Sequence, residues 1–213
     1  MLRFKGVIFD MDGVIIDNHK YHFSAWMEFS KRHKFELNEE IYREHYNGKT
    51  NADLFQMIFG ELSSEEIKKY AEEKEGLYQD LYREHMKAHT GLVDFLDYLV
   101  SHKVRIALGT SAPTKNVDYI LDTLKLRHYF SVIVDGSQVE KGKPDPQVYQ
   151  MCVNKLGLEP KECVVFEDSL AGLESGERAG CTIIAVATSH KASELKPKTE
   201  NIIFDFTEAR KFF

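Results

Sequence analysis

A chain of 213 residues, 43% hydrophobic and 29% charged, can bury one sizeable core or a core with a smaller inserted domain. Its formal net charge of −6 argues against nucleic acid or an anionic membrane as the main partner, while leaving room for a local basic pocket. No run is long and apolar enough to span a bilayer, and Cys152, Cys163 and Cys181 show no CxxC spacing, so a cytoplasmic protein with reduced thiols is expected.

The first element is an apolar run, Val7, Ile8 and Phe9, with the β-branched character of a buried parallel strand. It ends in Asp10-Met11-Asp12-Gly13, and period-two alternation places both aspartates on one side if the strand stays extended. Paired anions need a cation or a shared proton, and hard oxygen ligands suit Mg²⁺. From Ile16 to Thr90 the pattern is helical. Tyr21, Phe23, Trp26, Met27 and Phe29 form one broad apolar face, Leu54 to Phe59 another helix closed by Gly60. Ser63 and Glu66 have capping-box spacing, opening a charged helix that runs toward His89. On it Lys68, Lys69, Glu72, Glu73 and Glu75 read as a solvated face with i,i+4 pairs such as Lys68–Glu72. His85 and His89, one helical turn apart, read as part of the same charged surface. An all-helical block of this length between two strands reads as an inserted domain, residues 16–89, on a core made of 1–15 and 90–213.

Beyond Gly91, helix and strand alternate. Strands are predicted at Val104–Gly109, Val132–Asp135, Cys163–Phe166, Thr182–Val186 and Ile202–Phe204. Helices are predicted at Leu92–Val100, Pro113–Leu126, Pro146–Leu156 and Leu170–Ala179. Repeated β-α units imply a doubly wound parallel α/β sheet, which binds ligands at the carboxyl ends of its strands. Three such ends carry polar groups. Thr110 and Ser111 precede a helix N-terminus, where hydroxyls and free N–H groups form an anion site or simply cap the helix. Lys143 sits in a rigid Gly142-Lys143-Pro144-Asp145-Pro146 loop. Glu167 and Asp168 supply a second acidic pair, which with Asp10 and Asp12 makes an oxygen-only site suited to Mg²⁺, although Asp168 can also cap the next helix. Phe204, Phe206, Phe212 and Phe213 are expected to pack on the sheet edge.

DxDGV, a strand ending in Thr110, the lysine of GKPxP and EDSxxG, in that order, resemble the haloacid dehalogenase superfamily of phosphotransferases. The helical insertion after the first motif is similar to that family's alpha-helical cap. Phe9 to Ile15 and Tyr21 to Trp26 look like the beta-phosphoglucomutase-like members. The resemblance implies Asp10 as nucleophile, Asp12 as general acid/base whose carbonyl also ligates Mg²⁺, and Thr110 as a hydrogen-bond donor to the transferring phosphoryl, helped by the backbone of Ser111 and Ala112. It also implies Lys143 as a bridge between phosphate and Asp10, and Asp168 with Glu167 as metal ligands. The alcohol part of a small phosphorylated metabolite would meet His22, Gly48, Lys49 and Asn51. Retention of Asp12 and of the Glu167-Asp168 pair favours phosphate chemistry over dehalogenation. The mutase pattern K-G-V-S-R reads Asn47-Gly48-Lys49-Thr50-Asn51 here, without the terminal arginine that grips a second phosphate, and Asn18 replaces the usual threonine. The segment Gly109 to Thr114 is longer than the mutase form, whereas His22 and Lys74 match it. His22 is read either as a proton shuttle for Asp12 or as a ring packed beside Trp26. A monomeric phosphatase is therefore expected, with the mutase second and a non-catalytic binding protein on the same scaffold third.

Overall fold

The computed structural model describes residues 3–46 and 49–213. In chain order the elements are β1 (Gly6–Phe9), α1 (His19–His33), α2 (Glu39–Ile41), a π-helical turn Tyr42–Tyr46, α3 (Asn51–Phe59) and α4 (Ser64–Tyr82). They continue with α5 (Leu92–Ser101), β2 (Arg105–Gly109), α6 (Thr114–Thr123), β3 (Val132–Val134), α7 (Gln147–Leu156), β4 (Cys163–Glu167), α8 (Leu170–Arg178), β5 (Thr182–Val186), α9 (Ala192–Leu195) and β6 (Ile202–Ile203). A 3-10 segment, Phe206–Phe212, follows. The six strands form one parallel sheet in the order β3-β2-β1-β4-β5-β6, the doubly wound architecture that the alternating pattern predicts.

Side-chain alternation assigns each strand residue to one of two cores. Val7, Phe9, Ile106, Leu108, Val164 and Phe166 pack with Phe95, Leu99 and Val117 of α5 and α6. Ile8, Ala107 and Val165 face the other way, toward Tyr149 and Cys152 of α7 and Leu173 of α8. Both faces of β1 are thus covered, which is why its sequence is continuously apolar. The helices between β1 and β2 share a third, aromatic cluster of Trp26, Phe29, Tyr42, Tyr46 and Phe55. Tyr78 and Tyr82 of α4 join the first core instead and seat these helices on the sheet.

Ser63 and Glu66 form the predicted capping box. Helix α4 ends earlier than its charge pattern suggests, at Tyr82, and a 3-10 turn, Arg83–His85, follows. The cause is a competing partner: Ala88 bridges Ile16 in antiparallel fashion, and the His89 amide donates to the Ile15 carbonyl at 2.8 Å. His85 and His89 are consequently not on one helix. His85 stacks on Tyr21 and His89 lies edge-on to Phe206. The C-terminal aromatics also depart from expectation. Phe206 lies beneath the middle of the sheet, with ring centroids 5.3 Å from Phe166 and 5.8 Å from Phe9, whereas Phe204 is 65% exposed. Among the described residues no helix is long and apolar enough to cross a membrane.

Phe166 stacks on Phe9 at 5.2 Å and also touches Phe95 and Phe206, with no solvent exposure. Truncation of such a ring leaves a cavity that its neighbours refill poorly. Phe166→Ala should lower the unfolding free energy by about 3–5 kcal/mol in urea titrations, and Phe166→Leu by less.

Candidate active site

The ends of β1, β2 and β4 meet at one cavity. Asp10 is the first residue beyond β1, and its amide continues the ladder by donating to the Phe166 carbonyl at 3.0 Å. The chain then turns sharply, with the amides of Val14, Ile15 and Ile16 all aimed at the Met11 carbonyl. Gly13 takes φ +77°, and a Cβ there would strike the Asp168 carboxylate and the His19 ring. Asp10 and Asp12 both line the cavity, but through this turn rather than an extended strand.

Their surroundings are opposite. Asp10 Oδ1 lies 3.0 Å from Lys143 Nζ, and the same ammonium donates to Glu167 Oε1 at 2.6 Å. Burial, with Glu167, Asp168 and Asp12 nearby, pushes the Asp10 carboxyl up to about 8 despite the pull of Lys143. Burial acts on Asp12 in the same sense, but His22, the Asn18 amide donating at 2.6 Å and Lys74 outweigh it and hold Asp12 below its ordinary value. Lys143 is raised: burial opposes its charge, and Asp10 and Glu167 more than compensate.

Glu167 has no solvent exposure and accepts five hydrogen bonds. Lys143 and the Tyr149 hydroxyl donate to Oε1, the amides of Asp168 and Ser169 and the Ser169 hydroxyl to Oε2. This seating requires Gly172, where a Cβ would stand 1.7 Å from Glu167 Oε1. Ser169, not Asp168, caps α8. Asp168 pairs instead with His19 Nε2 at 2.5 Å. Thr110 does not cap α6, whose cap position is Pro113; its hydroxyl accepts from the Ala112 amide at 3.1 Å and it is 1% exposed. Ser111 and Ala112 line the cavity beside it.

Oxygens of Asp10, Glu167 and Asp168 lie within 4.8 Å of one another. A metal-ligand set made only of carboxylates, with Asp10 raised by burial and then by its acidic neighbours, fits a hard divalent cation such as Mg²⁺ and not a soft one.

The helical insertion supplies the other wall. His22 of α1 is stacked on Tyr78 at 3.8 Å. Lys74 Nζ meets its Nδ1 at 2.8 Å, and an ammonium can only donate, so the ring proton sits on Nε2. Burial and Lys74 lower the imidazole further toward its neutral form. Nε2 is buried, has no hydrogen-bond partner and lies 3.6 Å from Asp12 Oδ2. The ring is packed, but on Tyr78 where the sequence predicts Trp26, and it keeps an unspent donor toward Asp12. Lys49, Asn51, Trp26, Tyr42 and Tyr46 complete the wall. Gly48 and Asn47 lie outside the described residues.

The reading of the charged α4 face is also corrected. Glu75 is not on a solvated face: it is 8% exposed and lines the cavity. Glu72 is paired with Lys115 at 3.5 Å, and Glu73 with Arg32 and His33. Sequence reasoning also missed His19 and Asn116. His19 has a faint signal, standing one turn before His22 at the helix start. Asn116 has none, because its partner lies on a different helix.

Residues 7–186 match the model of the haloacid dehalogenase-like hydrolases. The chain is 33% identical over 181 residues to a phosphorylated carbohydrates phosphatase of Thermotoga maritima, covering 83% of this chain and 82% of that protein. It is 29% identical to a beta-phosphoglucomutase of Bacillus subtilis, over 85% of this chain and 83% of the other. A haloacid dehalogenase hydrolase of family IA, variant 3, from Entamoeba histolytica superposes with a TM-score of 0.85 at 32% identity, covering 96% and 94% of the two chains.

The His19–Asp168 pair makes stability depend on pH. Burial opposes the charge on His19, but Asp168 raises its pKa above the ordinary 6.5, so its contribution is complete below 6.5 and fades as pH rises through the raised value. Asp168 is depressed below 3.8, burial being outweighed by His19, so its share is lost only as pH falls through that depressed value. In metal-free buffer His19→Asn should cost about 1.5–3 kcal/mol near pH 6, and the gap from the parent should close toward alkaline pH in thermal unfolding.

Proposed function

The chain belongs to the haloacid dehalogenase-like hydrolases, and from that premise we propose that it is a Mg²⁺-dependent phosphatase of small sugar phosphates working through an aspartyl-phosphate. The observation that carries this reading is the division between two carboxylates in one cavity: Asp10 beside Lys143, and Asp12 beside His22 and Asn18. Carboxylates placed in contrasting surroundings serve different steps. The named activity of the Thermotoga relative supports phosphorylated carbohydrates as the substrate class.

In this reading Lys143, the Thr110 hydroxyl and the backbone of Ser111 and Ala112 hold the phosphoryl group against Asp10. With Mg²⁺ bound, Asp10 would return to its carboxylate, its proton passing to solvent; an oxygen of that carboxylate attacks phosphorus, the bond from phosphorus to the sugar oxygen breaks, and Asp12, protonated from solvent as the substrate binds, delivers its proton to that oxygen. Asp12 is ionised in the empty site, and the negative charge of an arriving phosphate raises its proton affinity. Asp12 then takes a proton from water, the water oxygen bonds to phosphorus, and Asp10 is released. Asp10, Asp168 and the Asp12 carbonyl, with Glu167 beside them, would hold Mg²⁺, which offsets the charge of the acidic cluster and of the phosphoryl oxygens. Positioning and charge neutralisation supply most of the rate in such transfers.

Residues 16–89 act as a cap on the core of 1–15 and 90–213. The cleft is partly open to solvent and offers about 80 Å³ of free space between the two walls, so opening of the cap would admit a sugar phosphate and closure would position it. His22, Lys49 and Asn51, with Gly48, then meet the alcohol. The mutase is the second reading, favoured by the His22–Lys74 contact and by the Bacillus relative.

Phosphorus NMR with Mg²⁺, glucose 1-phosphate and a trace of the 1,6-bisphosphate separates the two. Free phosphate is expected; glucose 6-phosphate without free phosphate would establish the mutase. Chelation should abolish turnover and Mg²⁺ restore it. Asp10→Asn should remove hydrolysis of every ester, and Asp12→Asn should reduce kcat by about 10²–10⁴ on sugar phosphates, measured as phosphate release.

A further inference from the structure

The cavity wall opposite the acidic cluster contains a buried carboxylate that phosphoryl transfer does not use. Glu75 stands on α4 at the end of a polar chain that starts at the catalytic cleft. Asp12 faces His22 Nε2, His22 Nδ1 meets Lys74 Nζ, and Lys74 Nζ donates to Glu75 Oε1 at 2.8 Å. Asn51 Nδ2 donates to the same oxygen at 2.7 Å, and Asn116 Nδ2, from the first turn of α6, to Oε2 at 2.5 Å. Gln79 in turn holds the Asn116 oxygen at 3.1 Å. The carboxylate is therefore fixed by residues from three helices, including one on the core.

This arrangement consumes the positive charge that a second phosphate would need. Among the described cations lining the cavity, Lys143 is committed to Asp10 and Glu167 and Lys74 to Glu75 and His22. Lys49 remains, exposed on its loop. Asn51, where the mutase pattern has arginine, spends its amide on Glu75. A phosphate dianion arriving here would lie beside a buried carboxylate whose one cation, Lys74, is shared with His22 and whose other donors are neutral amides, and the low local dielectric leaves the repulsion poorly screened. A hydroxyl is a different visitor. Three of the roughly four acceptor positions of the carboxylate are filled, and the remaining one takes an O–H.

We propose that Glu75 is a specificity-determining residue that rejects a second phosphate and accepts hydroxyls, so the substrates are monophosphate esters of neutral polyhydroxy alcohols. The proposal rests on the phosphatase reading and sharpens it. Burial works against the charge on Glu75, but Lys74, His22 and Asn51 lower its pKa and keep it ionised at neutral pH.

The test is calorimetric binding of glucose 1-phosphate and glucose 1,6-bisphosphate, with Mg²⁺, to the full chain carrying Asp10→Asn so that neither ester is consumed. With Glu75 in place the monophosphate should bind at least about tenfold more tightly. Adding Glu75→Gln should tighten the bisphosphate and shift the ratio about tenfold or more in its favour, while Glu75→Asp should keep the original preference. A ratio unmoved by Glu75→Gln overturns the proposal. So does parallel weakening of both esters, which would mark Glu75 as a purely structural link between α4 and α6, and so does failure of glucose 1-phosphate to bind the Glu75 protein. Hydrolysis of p-nitrophenyl phosphate by the unsubstituted chain is followed separately. Its absence removes the phosphatase reading and leaves the binding ratio to be judged alone.

Discussion

A carboxylate without solvent must have its lone pairs answered by protein, and Glu167 imposes that demand at the centre of this molecule. Its five donors fix much of what surrounds it. Lys143 is drawn in from its loop and delivered beside Asp10. Tyr149 of α7 is turned toward the strand ends, although the rest of its ring belongs to the second core. Two donors are backbone amides in the turn between β4 and α8, so the turn itself is shaped around the anion. Even the absence of a side chain at Gly172 follows, since any Cβ would occupy the place of the carboxylate. The acidic cluster is therefore preorganised before any ligand arrives.

The same economy of charge explains the contrast between the two aspartates. Asp10 belongs to the crowded side, where its neighbours are mostly anions and its one cation is shared with Glu167. Asp12, two residues on in the turn closed on the Met11 carbonyl, meets Asn18 and His22 instead. The helical insertion then does more than cover the site, because it brings the groups that set the character of Asp12.

Much of the core was legible because its signals are local. Apolar runs such as Val7 to Phe9 and Cys163 to Phe166 mark strands, and polar residues directly after them must fall at strand ends. Asp10, Thr110 and Asp168 converge for that reason alone, and Lys143 comes to the same place from its loop. What stayed hidden is decided by tertiary partners. Glu75 sits in a run of charges that begins with exposed residues such as Lys68, Lys69 and Glu72, and nothing near it announces Asn116, 41 residues away. The end of α4 was misread for a similar reason: residues 83–85 keep a helical composition, but the claim of Ile15 and Ile16 on the segment after them wins. Phe206 was placed at an edge because its sequence position suggested it, whereas its ring finds a gap among Phe9, Phe95 and Phe166.

The position of β1 in the sheet has a consequence for how the chain is made. Its neighbours are β2 and β4, with Gly6 in register with Arg105 on one side and Cys163 on the other. A chain emerging from the ribosome exposes an apolar strand with two open edges until the second strand has been synthesised, and one open edge until the fourth has. Such long-range parallel pairing slows folding and lengthens exposure to aggregation. Asp10 gains its partners from the last third of the chain only after that wait, so the buried acidic cluster forms once β4 has paired and not within any early folding unit.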